Sequence, residues 1–182
     1  MKKVCSFFGH RKINITKELE ENLTSLIEKL ITKEGVSIFL FGSKSEFNTL
    51  CHKIVNNLKE KYPYIKRVAY TCEHESCILE KDREKMQKLY TGIVKSEDEL
   101  LCVDEEYHHK NKTTSCKASY IARNYAMIDG SDYCIFYYDI YYEPEMRKWS
   151  KHGLYYQPKS GTRLAYDYAN QKSKLIYNLC IV

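Results

Sequence analysis

The sequence predicts a single α/β domain over residues 1–182, built on a mostly parallel sheet of about six strands. Two observations carry this. Three short apolar segments alternate with two helical segments of amphipathic spacing, the pattern of strands joined by crossover helices. The alternation then resumes, less regularly, in the second half of the chain. Lys2–Phe8 reads as a buried strand. Thr16 can cap a helix running to about Lys33, with Leu19, Leu23, Leu26, Ile27, Leu30 and Ile31 on one face. Val36–Phe41 is a second strand. Phe47, Leu50, Cys51, Ile54, Val55 and Leu58 mark the next helix, which Pro63 closes, and Ile65–Tyr70 is a third strand. Asp82–Tyr90 reads as a short helix and Glu99–Asp104 as a short strand, followed by a polar, loop-like Glu105–Lys117. Thr114 or Ser115 opens a helix to Ile128, and Tyr133–Tyr138 is a strong strand. Ile140–Pro158 is an irregular, Tyr-rich excursion. Ser160–Gln171 forms a last helix with Leu164, Ala165, Tyr168 and Ala169 inward, and Leu175–Cys180 a last strand. The irregular parts fall around 72–117 and 140–158.

Composition narrows the class. At 43% hydrophobic and 29% charged, with 7 Gly and 3 Pro, the chain is neither collagen-like nor low-complexity nor wholly disordered. No apolar run approaches the ~18 residues of a membrane helix, so no membrane association is expected. Met1-Lys2-Lys3 followed by Val4–Phe8 imitates a secretion signal, but its apolar stretch falls short of the ~7–15 residues required. Eight Cys suggest a disulfide framework, yet Cys5, Cys51, Cys134 and Cys180 lie inside apolar segments. Reduced thiols and a cytoplasmic protein are the expectation.

The few glycines and arginines point to a site. Gly9 and Gly42 follow predicted strands and Gly161 opens a predicted helix, so all three fall at the carboxyl edge of a parallel sheet, where such folds bind ligands. Glycine there lets backbone approach a phosphate, and a helix N-terminus offers free N–H groups. Gly9-His10-Arg11 adds an imidazole and a guanidinium. Gly42-Ser43-Lys44-Ser45-Glu46-Phe47-Asn48 carries hydroxyls and an ammonium into a helix. Lys159-Ser160-Gly161-Thr162-Arg163 combines small residues, hydroxyls, a helix start and two cations, the chemistry of a phosphate cradle. Neither a Walker A loop nor G-x-G-x-x-G is present, which argues against ATPase and dinucleotide-dehydrogenase activities.

Four blocks in order resemble the SLOG superfamily of Rossmann-like domains, and specifically its small YpsA-like bacterial and phage branch. They are Ser6-Phe7-Phe8-Gly9-His10-Arg11; Phe41-Gly42-Ser43 running to Phe47-Asn48; Arg123-Asn124-Tyr125-Ala126-Met127-Ile128-Asp129 with Ser131-Asp132; and Lys159–Arg163 with Ala165 and Tyr168-Ala169. The resemblance implies a three-layer Rossmann-like sandwich whose carboxyl-edge pocket holds a nucleotide-derived ligand, such as an ADP-ribose-like or cyclic-nucleotide signal of phage defence or anti-defence. On that reading Arg11, Lys159 and Arg163 pair phosphates, Gly9, Gly42, Ser160, Gly161 and Thr162 make close backbone and hydroxyl contacts, and Ser43, Asn48 and Arg123 also belong to the ligand-binding set. His10 and Asn124 orient ribose or base. The related hydrolases resemble a Pro-Gly-Gly-x-Gly-Thr-x-x-Glu pattern, whereas here Pro158–Thr162 is one residue shorter and Ala165 stands where the Glu belongs. Glycosidic cleavage needs that carboxylate. Asp167 is off the face, and Glu46 or Asp104 could replace the Glu only if the fold brought them in. Sensing or sequestration is therefore preferred, with no cofactor and no catalytic residue, and a phosphoribohydrolase-like activity is the alternative.

Cys72, His74, Cys77, His108 and His109 invite a zinc reading, but their spacing fits no common site and no metal is expected. Most of the 17 Tyr are expected to pack, with Tyr141, Tyr142 or Tyr107 as a stacking wall or an oligomer interface. A single-stranded nucleic-acid module is the third reading. Net charge +5 with only six Arg is a thin electrostatic footprint, so a nucleic-acid partner is not expected, and a homodimer or higher homo-oligomer is.

Overall fold

The computed structural model describes residues 2–42, 45–72, 103–110, 116–148 and 155–180. In chain order the described elements are β1 (Lys3–Gly9), α1 (Lys17–Thr32), β2 (Val36–Gly42), α2 (Glu46–Lys61), β3 (Lys66–Cys72), β4 (Glu105–His109), α3 (Cys116–Asp129), β5 (Tyr133–Tyr137), β6 (Arg147–Lys148), β7 (Tyr155–Tyr156), α4 (Gly161–Gln171) and β8 (Leu175–Asn178). Six strands form one sheet in the order β4-β3-β2-β1-β5-β8, every neighbouring pair parallel.

Strand alternation divides the core into two. On β1, Cys5 and Phe7 pack with α1 and α2, through Leu23, Ile27, Phe47 and Val55. Phe8, the next residue after Phe7, faces the other way, with Met127 and Ile128 of α3 and Ala165 and Ala169 of α4. β5 repeats the split, Ile135 on one side and Cys134 and Phe136 on the other. The result is the expected three-layer α/β sandwich. Cys5, Cys51, Cys72, Cys134 and Cys180 are free thiols, and burial pushes those of Cys5 and Cys51 well above the usual range. Among the described residues no helix is long and apolar enough to cross a membrane.

Side chains start the helices where expected. Thr16 Oγ1 accepts the Leu19 N–H at 3.1 Å, Ser45 Oγ that of Asn48 at 3.0 Å and Ser160 Oγ that of Arg163 at 3.0 Å. The Asn178 side chain brackets Tyr138, accepting its N–H and donating to its carbonyl, both at 2.9 Å. That fixes the end of β5 where the chain leaves the sheet.

Two segments differ from expectation. Glu105–His109, read as loop, is the edge strand β4, paired with β3 from Val68↔Glu105 to Cys72↔His109. Its residues are polar on both faces, so no apolar alternation marks it. The strand expected over Glu99–Asp104 lies largely outside the described residues, as do the helix over Asp82–Tyr90, His74, Cys77 and Ser43. Within Ile140–Pro158, β6 and β7 pair antiparallel, Arg147 opposite Tyr156 and Lys148 opposite Tyr155. Two residues per strand are too few to show a period.

Candidate functional site

The sheet's strand order reverses between β1 and β5, and in open α/β sheets the crevice outside the carboxyl ends at such a switch point is where ligands sit. A cavity of about 510 Å³ opens there. Gly9, His10 and Arg11 leave β1 into it, and Gly42 ends β2 beside them. Ser45 and Asn48 come from the start of α2. Lys117, Tyr120, Ile121, Arg123 and Asn124 form the α3 wall. Tyr142, Pro144 and Arg147 come from the segment after β5, and Pro158–Thr162 lead into α4.

Five lining side chains are cationic, Arg11, Lys117, Arg123, Arg147 and Lys159, and none of the described lining residues carries a carboxylate. Like charges in one concave, partly desolvated wall focus a positive potential on whatever enters. α4 adds to it. Ser160 takes up the N–H of Arg163, and the N–H groups of Gly161 and Thr162, both lining the cavity, belong to the helix's first turn, which has no intrahelical acceptor. Lys117 Nζ donates to the Lys159 carbonyl at 3.4 Å, tying α3 to the approach to α4.

The structure thus gathers eleven of the thirteen residues singled out from the sequence. Ser43 lies outside the described residues, and Arg163 is exposed on α4 and does not line the cavity. Lys117, Tyr120 and Arg147 were missed. Arg147 carried one signal, being one of only six Arg. Lys117 had none among 23 Lys.

The glycines have different reasons. A Cβ on Gly9 would stand 2.4 Å from Phe47 Cβ, so that glycine lets α2 pack on β1. At Gly42 the space is taken by Arg123, whose Nη2 would lie 3.1 Å from a Cβ. Of these three, Gly161 alone faces open space, with nothing within 4 Å. Arg123 itself is buried, its Nη2 donating to Asn124 Oδ1 at 3.2 Å and its guanidinium 5.5 Å from the Tyr120 ring centre.

His10 is buried, and its Nε2 accepts the Asp139 N–H at 3.1 Å. Burial lowers its pKa, more than the nearby Asp139 carboxylate raises it. A neutral ring with Nε2 occupied retains Nδ1–H as its one donor. Its ring lies 4.3 Å from that of Tyr142.

The candidate acids lie elsewhere. Ala165 is buried in the core between α4 and the sheet. Glu46 Oε2 accepts the Ile13 N–H at 2.9 Å and so holds the β1–α1 loop. Asp104 sits at the amino end of β3, where it pairs with Lys59 and Arg67 at 3.1 Å, and its carboxyl is lowered to about 2 by Arg67 and Lys59 against the opposing effect of burial. Asp167 pairs with Lys159 at 3.4 Å on the exposed side of α4. No group of three or more His, Cys, Asp or Glu among the described residues could hold a metal ion.

Strand order, switch-point cavity and the helix start with its Ser cap define a Rossmann-like α/β domain. The chain belongs to the YspA SLOG family, whose model matches residues 7–173. No curated protein matches. Among solved structures, the chain is similar to DNA processing protein A from Helicobacter pylori, described for a unique single-stranded DNA binding mode. Identity is 15% and the TM-score 0.53, covering 96% of this chain and 63% of that one. The likeness establishes the fold, and the chain spans just under two thirds of its neighbour's length.

This neighbour overturns the order of the functional readings. A small nucleotide-derived signal was placed first and nucleic acid was not expected; the structural relative is a protein of single-stranded DNA. The error has a physical source. A net charge of +5 averages over the whole surface, whereas five basic side chains are concentrated in one cavity.

Proposed function

We propose that this chain is a single-stranded nucleic-acid-binding module whose carboxyl-edge cavity holds the phosphates of a strand. The observation that carries this reading is the set of five cations, Arg11, Lys117, Arg123, Arg147 and Lys159, in a wall without a described carboxylate. Phosphate contacts of this kind supply most of the affinity of sequence-independent binding. The first-turn N–H groups of Gly161 and Thr162 add two neutral donors suited to a phosphate oxygen. The single-stranded DNA binding described for the structural neighbour supports the same partner class. Titration of a labelled 20-nucleotide single strand by fluorescence anisotropy tests it. Affinity should be measurable at low salt and fall steeply as salt rises. No measurable binding at low salt ends the reading.

A further inference from the structure

The phosphate cavity leaves unused a set of exposed tyrosines on the segment between β5 and α4. Tyr142 lines the cavity with about half its surface exposed, its ring seated against His10 at 4.3 Å between centres. Asp139 holds that imidazole through its backbone N–H, so the support beneath Tyr142 is fixed. In the β6–β7 ribbon Arg147 stands directly opposite Tyr156. Cross-strand partners project from the same face of a ribbon. Arg147 lines the cavity, and Tyr156, 42% exposed and outside the cavity lining itself, shares the face of the ribbon that Arg147 occupies.

We infer that Tyr142 and Tyr156 form a base-stacking platform beside the cavity, and that this platform selects single strands over duplex. The inference rests on the reading of the cavity as a nucleic-acid site. Two aromatic faces beside phosphate-binding cations match the alternation of base and phosphate along a strand, and stacking tolerates any sequence because every base has a π-face. A duplex keeps its bases stacked inside and offers these rings nothing.

The test compares three labelled probes of equal length at low salt: a single strand, the same strand made abasic throughout, and a duplex. The protein should bind the intact strand at least about tenfold more tightly than either of the others. Tyr156→Ala should lower affinity for the intact strand about tenfold and leave that for the abasic strand unchanged, and Tyr156→Phe should retain wild-type binding. Tyr142→Ala should act in the same direction. Equal binding of intact and abasic strands, or an equal loss on both in Tyr156→Ala, overturns the platform while leaving the phosphate cavity standing. Binding of none of the three probes overturns both.

Discussion

Removal of one cavity cation changes a quantity that the structure sets in advance, the slope of affinity against salt. Each phosphate neutralised on a single strand contributes about −0.7 to the slope of log affinity against log salt. Five cations line the cavity, so the wild-type slope should be no steeper than about −3.5. Between 50 and 200 mM salt that is a loss of about a hundredfold. Arg147 is the variant of choice because it is exposed and its removal opens no core. Arg147→Ala should bring the slope to about −2.8 and reduce the loss over the same range to about fiftyfold, with the thermal midpoint unchanged. Anisotropy titrations of a single strand at four salt concentrations give both slopes. A wild-type slope shallower than about −1, or one that Arg147→Ala leaves untouched, refutes the argument from the five cations.

Three further outcomes follow from the same geometry. Gly9→Ala drives a methyl into Phe47 and should cost about 1–3 kcal/mol in denaturant unfolding, whereas Gly161→Ala meets open space and should leave stability within about 0.5 kcal/mol; equal effects would show that the two glycines have one role. Ala165→Glu buries a carboxylate between α4 and the sheet, so the thermal midpoint should fall by several degrees and no base should be released from nucleoside monophosphates. Because burial holds His10 below its usual 6.5, the unfolded chain takes up that proton first; stability should be full above about pH 6.5 and decline as pH falls below it, and His10→Gln should flatten the decline in pH-dependent melts.

What was legible in the sequence was whatever repeats with a period or sits at an element's end. Leu19, Leu23, Ile27 and Leu30 announce α1, and Thr16 caps it just ahead of that apolar run. The switch-point residues were legible for the same reason, since Gly9, Gly42 and Gly161 flank recognisable strands and a helix. β4 was not legible, because an edge strand with Glu, Tyr and His on its faces has no core side to repeat. Lys117 and Arg147 reach the cavity only through the packing of α3 and the course of the chain after β5, which no local spacing encodes. The reason for a glycine was hidden too. At Gly9 and Gly42 the small residue serves Phe47 and Arg123 rather than a ligand, and only three-dimensional contact shows it.

The seat of Arg123 at Gly42 couples two positions distant in sequence. The guanidinium sits 3.1 Å from where a Cβ at position 42 would stand, so an alanine there asks Arg123 to give way slightly and a bulkier residue displaces it. A chain drifting at position 123 first is released from the demand for glycine at 42, and one drifting at 42 first loses its cation. Descendants of this fold that keep Arg123 should therefore keep a small residue at 42, whereas those that have lost Arg123 are free to fill that position.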